Sequence, residues 1–120
     1  MMDFTPTPVK ATVTLAALEA LDIRVGTIER VEEVARSEKL MKLTVNFGDH
    51  MRTILAGIRK ERENPREIEG RQALFVLNLE TRKMAGEISE GMLFDIGYAD
   101  GVTPVLAIPE RPLPNGARAG

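Results

Sequence analysis

The chain contains no cysteine and no tryptophan, and only one tyrosine (Tyr98) and one histidine (His50) in 120 residues. Without cysteine there is neither a disulfide framework nor a thiolate zinc site, and nothing argues for an oxidising compartment. A single histidine, placed beside a turn, leaves a zinc cluster or a Ser-His-Asp triad without its parts. No apolar run approaches the roughly 20 residues that span a bilayer. Met1 to Pro8 has neither the basic region nor the apolar core of a signal peptide. A soluble, cytoplasmic protein with no membrane insertion is the expectation.

Other signatures are missing as well. There is no Walker or Rossmann glycine pattern. Gly86 to Gly91 superficially resembles a nucleophile elbow, but Glu87 stands where that motif needs a glycine two residues before Ser89. No carboxylate pair is singled out. The chain therefore reads as a binding module, not an enzyme, with no catalytic residues, no cofactor and no metal. Aromatic residues make up only 4%. A stacking platform for unstructured RNA is thus poorly supplied, and Phe47, Phe75 and Phe94 sit in apolar strand contexts that suggest core.

Charge is present but uneven. The net charge is −2, which is not the basic footprint of a nucleic-acid binder. Yet Arg36 to Lys83 holds eleven Lys or Arg against seven Asp or Glu, while both flanks are net negative. Such asymmetry is compatible with a basic patch on a mildly acidic body.

The periodicities describe one domain. Residues 1–13, with Pro6 and Pro8, read as a flexible lead-in to a domain at 14–120. Thr14 can cap a short helix in which Leu15, Leu18 and Leu21 share a face. From Asp22 to Val34 the apolar positions change phase, the mark of a long, bulged strand with Gly26 as the expected bend. Leu43, Val45 and Phe47 alternate with polar residues, Gly48-Asp49 marks a turn, and Arg52 to Ala56 returns as a third strand. A charged stretch from Ile58 to Glu69 reads as a helical insert interrupted at Asn64-Pro65. Gln72–Leu79, Met92–Gly97 and Val105–Ile108 supply further strands. The pattern predicts an all-β fold: a five-stranded Greek-key barrel of the OB kind with a short N-terminal helix, a helical insert after the third strand and a C-terminal extension.

The densest chemistry lies at Asn78-Leu79-Glu80-Thr81-Arg82-Lys83-Met84-Ala85-Gly86-Glu87-Ile88-Ser89-Glu90-Gly91-Met92. An arginine fork grips phosphate bidentately and a lysine adds a mobile point charge, so Arg82 and Lys83 suit backbone contacts that position a nucleic acid. On composition alone the solvated loop is the favoured reading of the pair. Asn78 either contacts a ligand or caps the strand end, Ser89 either contacts a ligand or satisfies a neighbouring amide, and Met92 is either contact or core.

This stretch resembles the motif of the bacterial tRNA-binding domain, found free-standing and at the C-terminus of bacterial methionyl-tRNA synthetases, and in looser form in the protein-export chaperone CsaA. The likeness extends through Leu21 to Gly26, Ser37 to Leu40 and Arg52 to Ile58, in the same order. Where the family usually has proline this chain has Thr81. The resemblance implies an OB barrel whose terminal additions join two copies into a homodimer. It also implies a grip on the outer corner of folded tRNA by Lys39, Asn78, Arg82, Lys83, Ser89 and Met92. Arg52 is a weaker candidate, alternatively a strand-edge cation, and Lys39 is alternatively a solvated charge. A CsaA-type chaperone binding unfolded or export-bound polypeptides is the competing expectation.

Overall fold

The computed structural model describes residues 4–120. The first three positions of the expected 1–13 lead-in lie outside the described residues; the remainder runs exposed, without regular structure, into helix α1 (Leu15–Glu19). Thr14 caps α1 as its side chain allows, its Oγ1 accepting the Ala17 amide at 3.1 Å. No residue of α1 is buried, so its leucines lie outside the core.

Strand β1 (Ile23–Glu33) organises the barrel because its two halves pair differently. Its outer half pairs antiparallel with β2 (Met41–Asn46), and Ile23 to Thr27 pairs with β4 (Gln72–Val76). The register shifts between Ile28 and Arg30, which explains the phase change in the apolar positions: the bulge lets Ile28 and Val31 both face inward. The register break therefore lies beyond Gly26. A β-carbon at Gly26 would lie 2.7 Å from a ring carbon of Phe47 and from Cγ1 of Val45, so glycine there permits close approach to the core.

From β2 the chain turns into β3 (Met51–Ala56), and the principal sheet has the order β3-β2-β1-β4-β7, where β7 is Met92–Leu93. The C-terminal β10 (Arg118–Ala119) adds to the beginning of β1. The sheet curls about Ile28, Leu43, Val45, Ile54, Phe47 and Phe75, the two rings meeting edge to face at 5.5 Å. Emptying the Phe47 position would cost about 3–5 kcal/mol.

Between β3 and β7 no strand ladder forms, and Glu90 bridges the gap through both its amide and its side chain. Glu90 donates its amide to Thr53 O at 2.8 Å and accepts the Thr53 amide on Oε1 at 2.9 Å. The result is the expected all-β, OB-like barrel. Its insert is smaller than the sequence suggests: Pro65 begins a single 3-10 turn, Pro65–Ile68, capped by Asn64, and Ile68 is buried. Proline starts this turn instead of breaking a helix because its missing N–H falls where no partner is required.

Three further readings change. The expected strand Met92–Gly97 is divided between β7 and β8 (Asp95–Ile96), which pairs with β9 (Val105–Leu106) in a separate small sheet. That division turns Phe94 outward, 41% exposed, so it is not core. The polar loop bearing Arg82 and Lys83 is itself a hairpin, β5 (Arg82–Met84) with β6 (Glu87–Ser89). Its two-residue turn, Ala85 and Gly86, has φ of 49° and 85°, the mirror-image geometry that matches strand twist.

Candidate nucleic-acid interface

Strand alternation decides what the hairpin presents. Arg82 pairs with Ser89 and Met84 with Glu87, while Lys83 pairs with Ile88. Directly paired residues share a face, so Arg82, Met84, Glu87 and Ser89 lie on the barrel side and Lys83 and Ile88 on the outer side. The adjacent cations therefore point to opposite faces of one small ribbon.

The barrel-side contacts anchor this ribbon. Ser89 is buried; its Oγ accepts the Leu55 amide and donates to Gly91 O, each at 3.0 Å. Glu87 accepts from Lys42 Nζ at 2.9 Å, a bond that holds the ammonium above its usual range. Arg52 donates from Nη1 to Leu77 O at 2.9 Å and to Glu90 O at 3.0 Å, and from Nε to His50 Nε2 at 2.9 Å. His50 in turn meets Asp49 through Nδ1 at 2.7 Å and stacks on Phe47. Asn78 accepts the Asp22 amide on Oδ1 and donates from Nδ2 to Ala20 O, each at 2.7 Å. In Arg52, Asn78 and Ser89 the polar atoms are thus engaged in holding the chain together.

Four cations around the hairpin and the β1–β2 loop are free. Among the described residues, the side chains of Arg36, Lys39, Arg82 and Lys83 make no ion pair and no hydrogen bond. Arg36 and Lys39 stand on the β1–β2 loop. That loop is held by Arg59, whose Nη1 donates to Ser37 O at 2.6 Å and whose Nη2 meets Glu33 at 3.0 Å. The Ser37 hydroxyl accepts the amides of Lys39 and Leu40, which tightens the turn. The β1–β2 loop and the hairpin adjoin, since a β-carbon built on Gly86 would lie 3.5 Å from Nη1 of Arg36. Arg36 escaped the sequence reading because the only available signal was an unmatched cation in a loop.

Beneath the hairpin lies a cleft of about 210 Å³, with Arg82 at its rim and Leu79, Met84, Met92 and Leu93 among its walls. Met92 is 45% exposed and so belongs to this surface instead of the core. Asp95 completes the wall, and desolvation pushes its carboxyl above the usual range against the pull of Arg62. Glu61 is pushed up likewise, first by burial and then by Asp95. No group of three or more His, Cys, Asp or Glu that could hold a metal occurs among the described residues.

An OB-type barrel with paired cationic loops defines a class of ligand-binding modules, and similarity to known proteins narrows it. Residues 23–118 match the family described as "Putative tRNA binding domain", and the chain belongs to that family. It is 40% identical to the methionine–tRNA ligase of Chlorobium chlorochromatii over 92 residues, 77% of this chain but 13% of that enzyme. Among solved structures, a MetRS-related protein from Pyrococcus horikoshii is 32% identical with a TM-score of 0.85. The match covers 92% of this chain and all of that one. The chaperone CsaA of Bacillus anthracis is 31% identical with a TM-score of 0.80 over the same shares. The chain spans a small fraction of the ligase, and the whole length of the two solved chains.

Proposed function

We propose that the domain binds structured tRNA through phosphate and sugar contacts, without turnover, as a free-standing homodimer in the cytoplasm. The observation that carries this reading is the set of cations, unpaired among the described residues, on the β1–β2 loop and the adjoining hairpin: Arg36 and Lys39 beside Arg82 and Lys83, in a chain of net negative charge. Many guanidinium groups elsewhere are matched: Arg24 and Arg118 share Asp22, and Arg59 pairs with Glu33. Cations left without carboxylates suit a polyanion, and positioning by phosphate contact requires no base-stacking aromatic. Asn78, Arg52 and Ser89 serve this surface by fixing the elements that bear it.

Dimerisation has separate support. Leu15, Leu18 and Leu21 on and after α1 are 68%, 54% and 42% exposed, and they border a groove with Ile23 and Ala119. A helix of five residues with no buried face gains little from its own hydrogen bonds, so a second copy of this chain is the natural cover.

The test is a titration with folded tRNA at two salt concentrations. Affinity should fall steeply with salt by counterion release, and Arg82→Ala with Lys83→Ala should lower the log–log salt slope by about 2 while leaving the fold intact. Unchanged binding by that double variant would defeat the reading. The chaperone alternative is favoured by Phe94, Ile96, Val105 and Ile108, exposed on and beside the small β8–β9 sheet, and by the likeness to CsaA. Salt-insensitive binding of an unfolded polypeptide, with none of tRNA, would select it.

A further inference from the structure

We propose that the cleft beneath the β5–β6 hairpin seats one unstacked, amino-bearing nucleobase of the bound RNA, between Arg82 at the rim and Asp95 in the wall. This rests on the tRNA reading and adds a base contact to it. Size is the first argument. The cleft holds about 210 Å³, below the roughly 300–1,000 Å³ that takes drug-sized ligands, so one ring system fits and a whole nucleotide does not.

Polarity is the second argument. Leu79, Met84, Met92 and Leu93 offer apolar and thioether surface suited to the faces of a flat ring. Asp95 is half-buried; its carboxyl meets its own backbone amide and feels Arg62, but among the described residues it takes no hydrogen bond from another side chain. A phosphate would be repelled there by Asp95 and by neighbouring Glu61. An aliphatic peptide side chain would bury the carboxyl further with no donor to compensate. A base with an exocyclic amine supplies that donor, as carboxylates take from cytosine N4, while Arg82 remains at the rim for the attached phosphate.

Gly57 provides a way to narrow the cleft. It lines the cleft, a β-carbon there meets nothing within 4 Å, and its φ lies outside the left-handed region, so a leucine is tolerated there and its branched end can reach over the cleft. The experiment is an amide-resolved NMR titration of the full chain with AMP, CMP, GMP and UMP, repeated on Gly57→Leu, alongside tRNA affinities for both proteins. The amides of Ala56 to Ile58 and Asp95 should shift with AMP, CMP and GMP, least with UMP, and not at all in Gly57→Leu. The tRNA affinity of Gly57→Leu should fall about fivefold or more. Should Gly57→Leu fail to fold, Asp95→Asn serves instead and should bring UMP level with CMP, because an amide both donates and accepts. Three results would each overturn the proposal: no shift with any amino-bearing nucleotide, shifts that survive Gly57→Leu, or UMP binding as well as CMP. If Gly57→Leu is neutral while Arg82→Ala with Lys83→Ala still weakens tRNA, only the cleft assignment fails; if neither variant matters, the tRNA reading fails with it.

Discussion

The Asn78 side chain holds the chain on either side of Leu21, accepting the Asp22 amide and donating to Ala20 O, both at 2.7 Å. One amide at the exit of β4 therefore sets where α1 sits against the barrel. Asn78→Ala should cost about 1–2 kcal/mol in urea unfolding, since two well-aligned bonds go and the backbone partners are left to water. The variant should also dissociate more readily in sedimentation if α1 forms the seam between copies. A variant as stable and as dimeric as the parent would show that this tie is incidental.

Arg52 couples β3 to both Leu77 O and Glu90 O, and thereby to the base of the hairpin. Lysine cannot reproduce that fork, so Arg52→Lys should lose about 1–3 kcal/mol and speed hydrogen exchange at Glu90 and Gly91. If the guanidinium only positions the hairpin, the neutral variant Arg52→Gln should weaken tRNA affinity with the salt slope unchanged. A slope reduced by about 1 would instead make Arg52 a direct contact.

Among the described residues Arg36 has no carboxylate partner, and it lies against Gly86 at the hairpin turn. Arg36→Ala should leave thermal stability within about 0.5 kcal/mol of the parent, as surface substitutions do. It should reduce the salt slope of tRNA binding by about 1. Gel retardation across a salt series measures both affinity and slope.

Ala85 occupies the left-handed region, φ 49°, in a turn that favours asparagine or glycine. Ala85→Asn should raise stability by about 0.5–1 kcal/mol and slow hydrogen exchange in the hairpin. Equal or lower stability by calorimetry would count against strain at this residue.

Asp22 pairs with Arg24 and Arg118, and the hydrogen bond from Arg24 is the leading reason its carboxyl is held below the ordinary 3.8, partly offset by desolvation. A lowered native value means the unfolded chain binds the proton more readily. The stabilisation is thus fully present above pH 3.8 and is lost as pH falls through the native value. The β1–β10 pairing should loosen in that acid range, seen as faster exchange at Arg118 and Ala119, and Asp22→Asn should remove the dependence.

Much of the barrel is legible in the sequence because burial imposes a period that single residues reveal. Leu43, Val45 and Phe47 alternate inward as read, Thr14 caps its helix, and the phase changes between Ile23 and Val34 correspond to a real bulge. The motif running from Asn78 to Met92 likewise identified the family. What the local pattern could not supply is the set of partners that side chains meet across the fold. Asn78 finds Asp22 from 56 residues away, Ser89 finds Leu55 from 34, and Arg52 finds Glu90 from 38, so their polar atoms tie distant segments of the barrel together. Arg82 and Lys83 are neighbours in sequence, yet strand alternation sends them to opposite faces. Arg36 joins them only because two loops distant along the chain are brought edge to edge. Residue type and order determined which chemistry this protein carries; closure of the sheet decided which of those groups stay unpaired, because a hydrogen bond is satisfied by whatever the fold places within 3 Å.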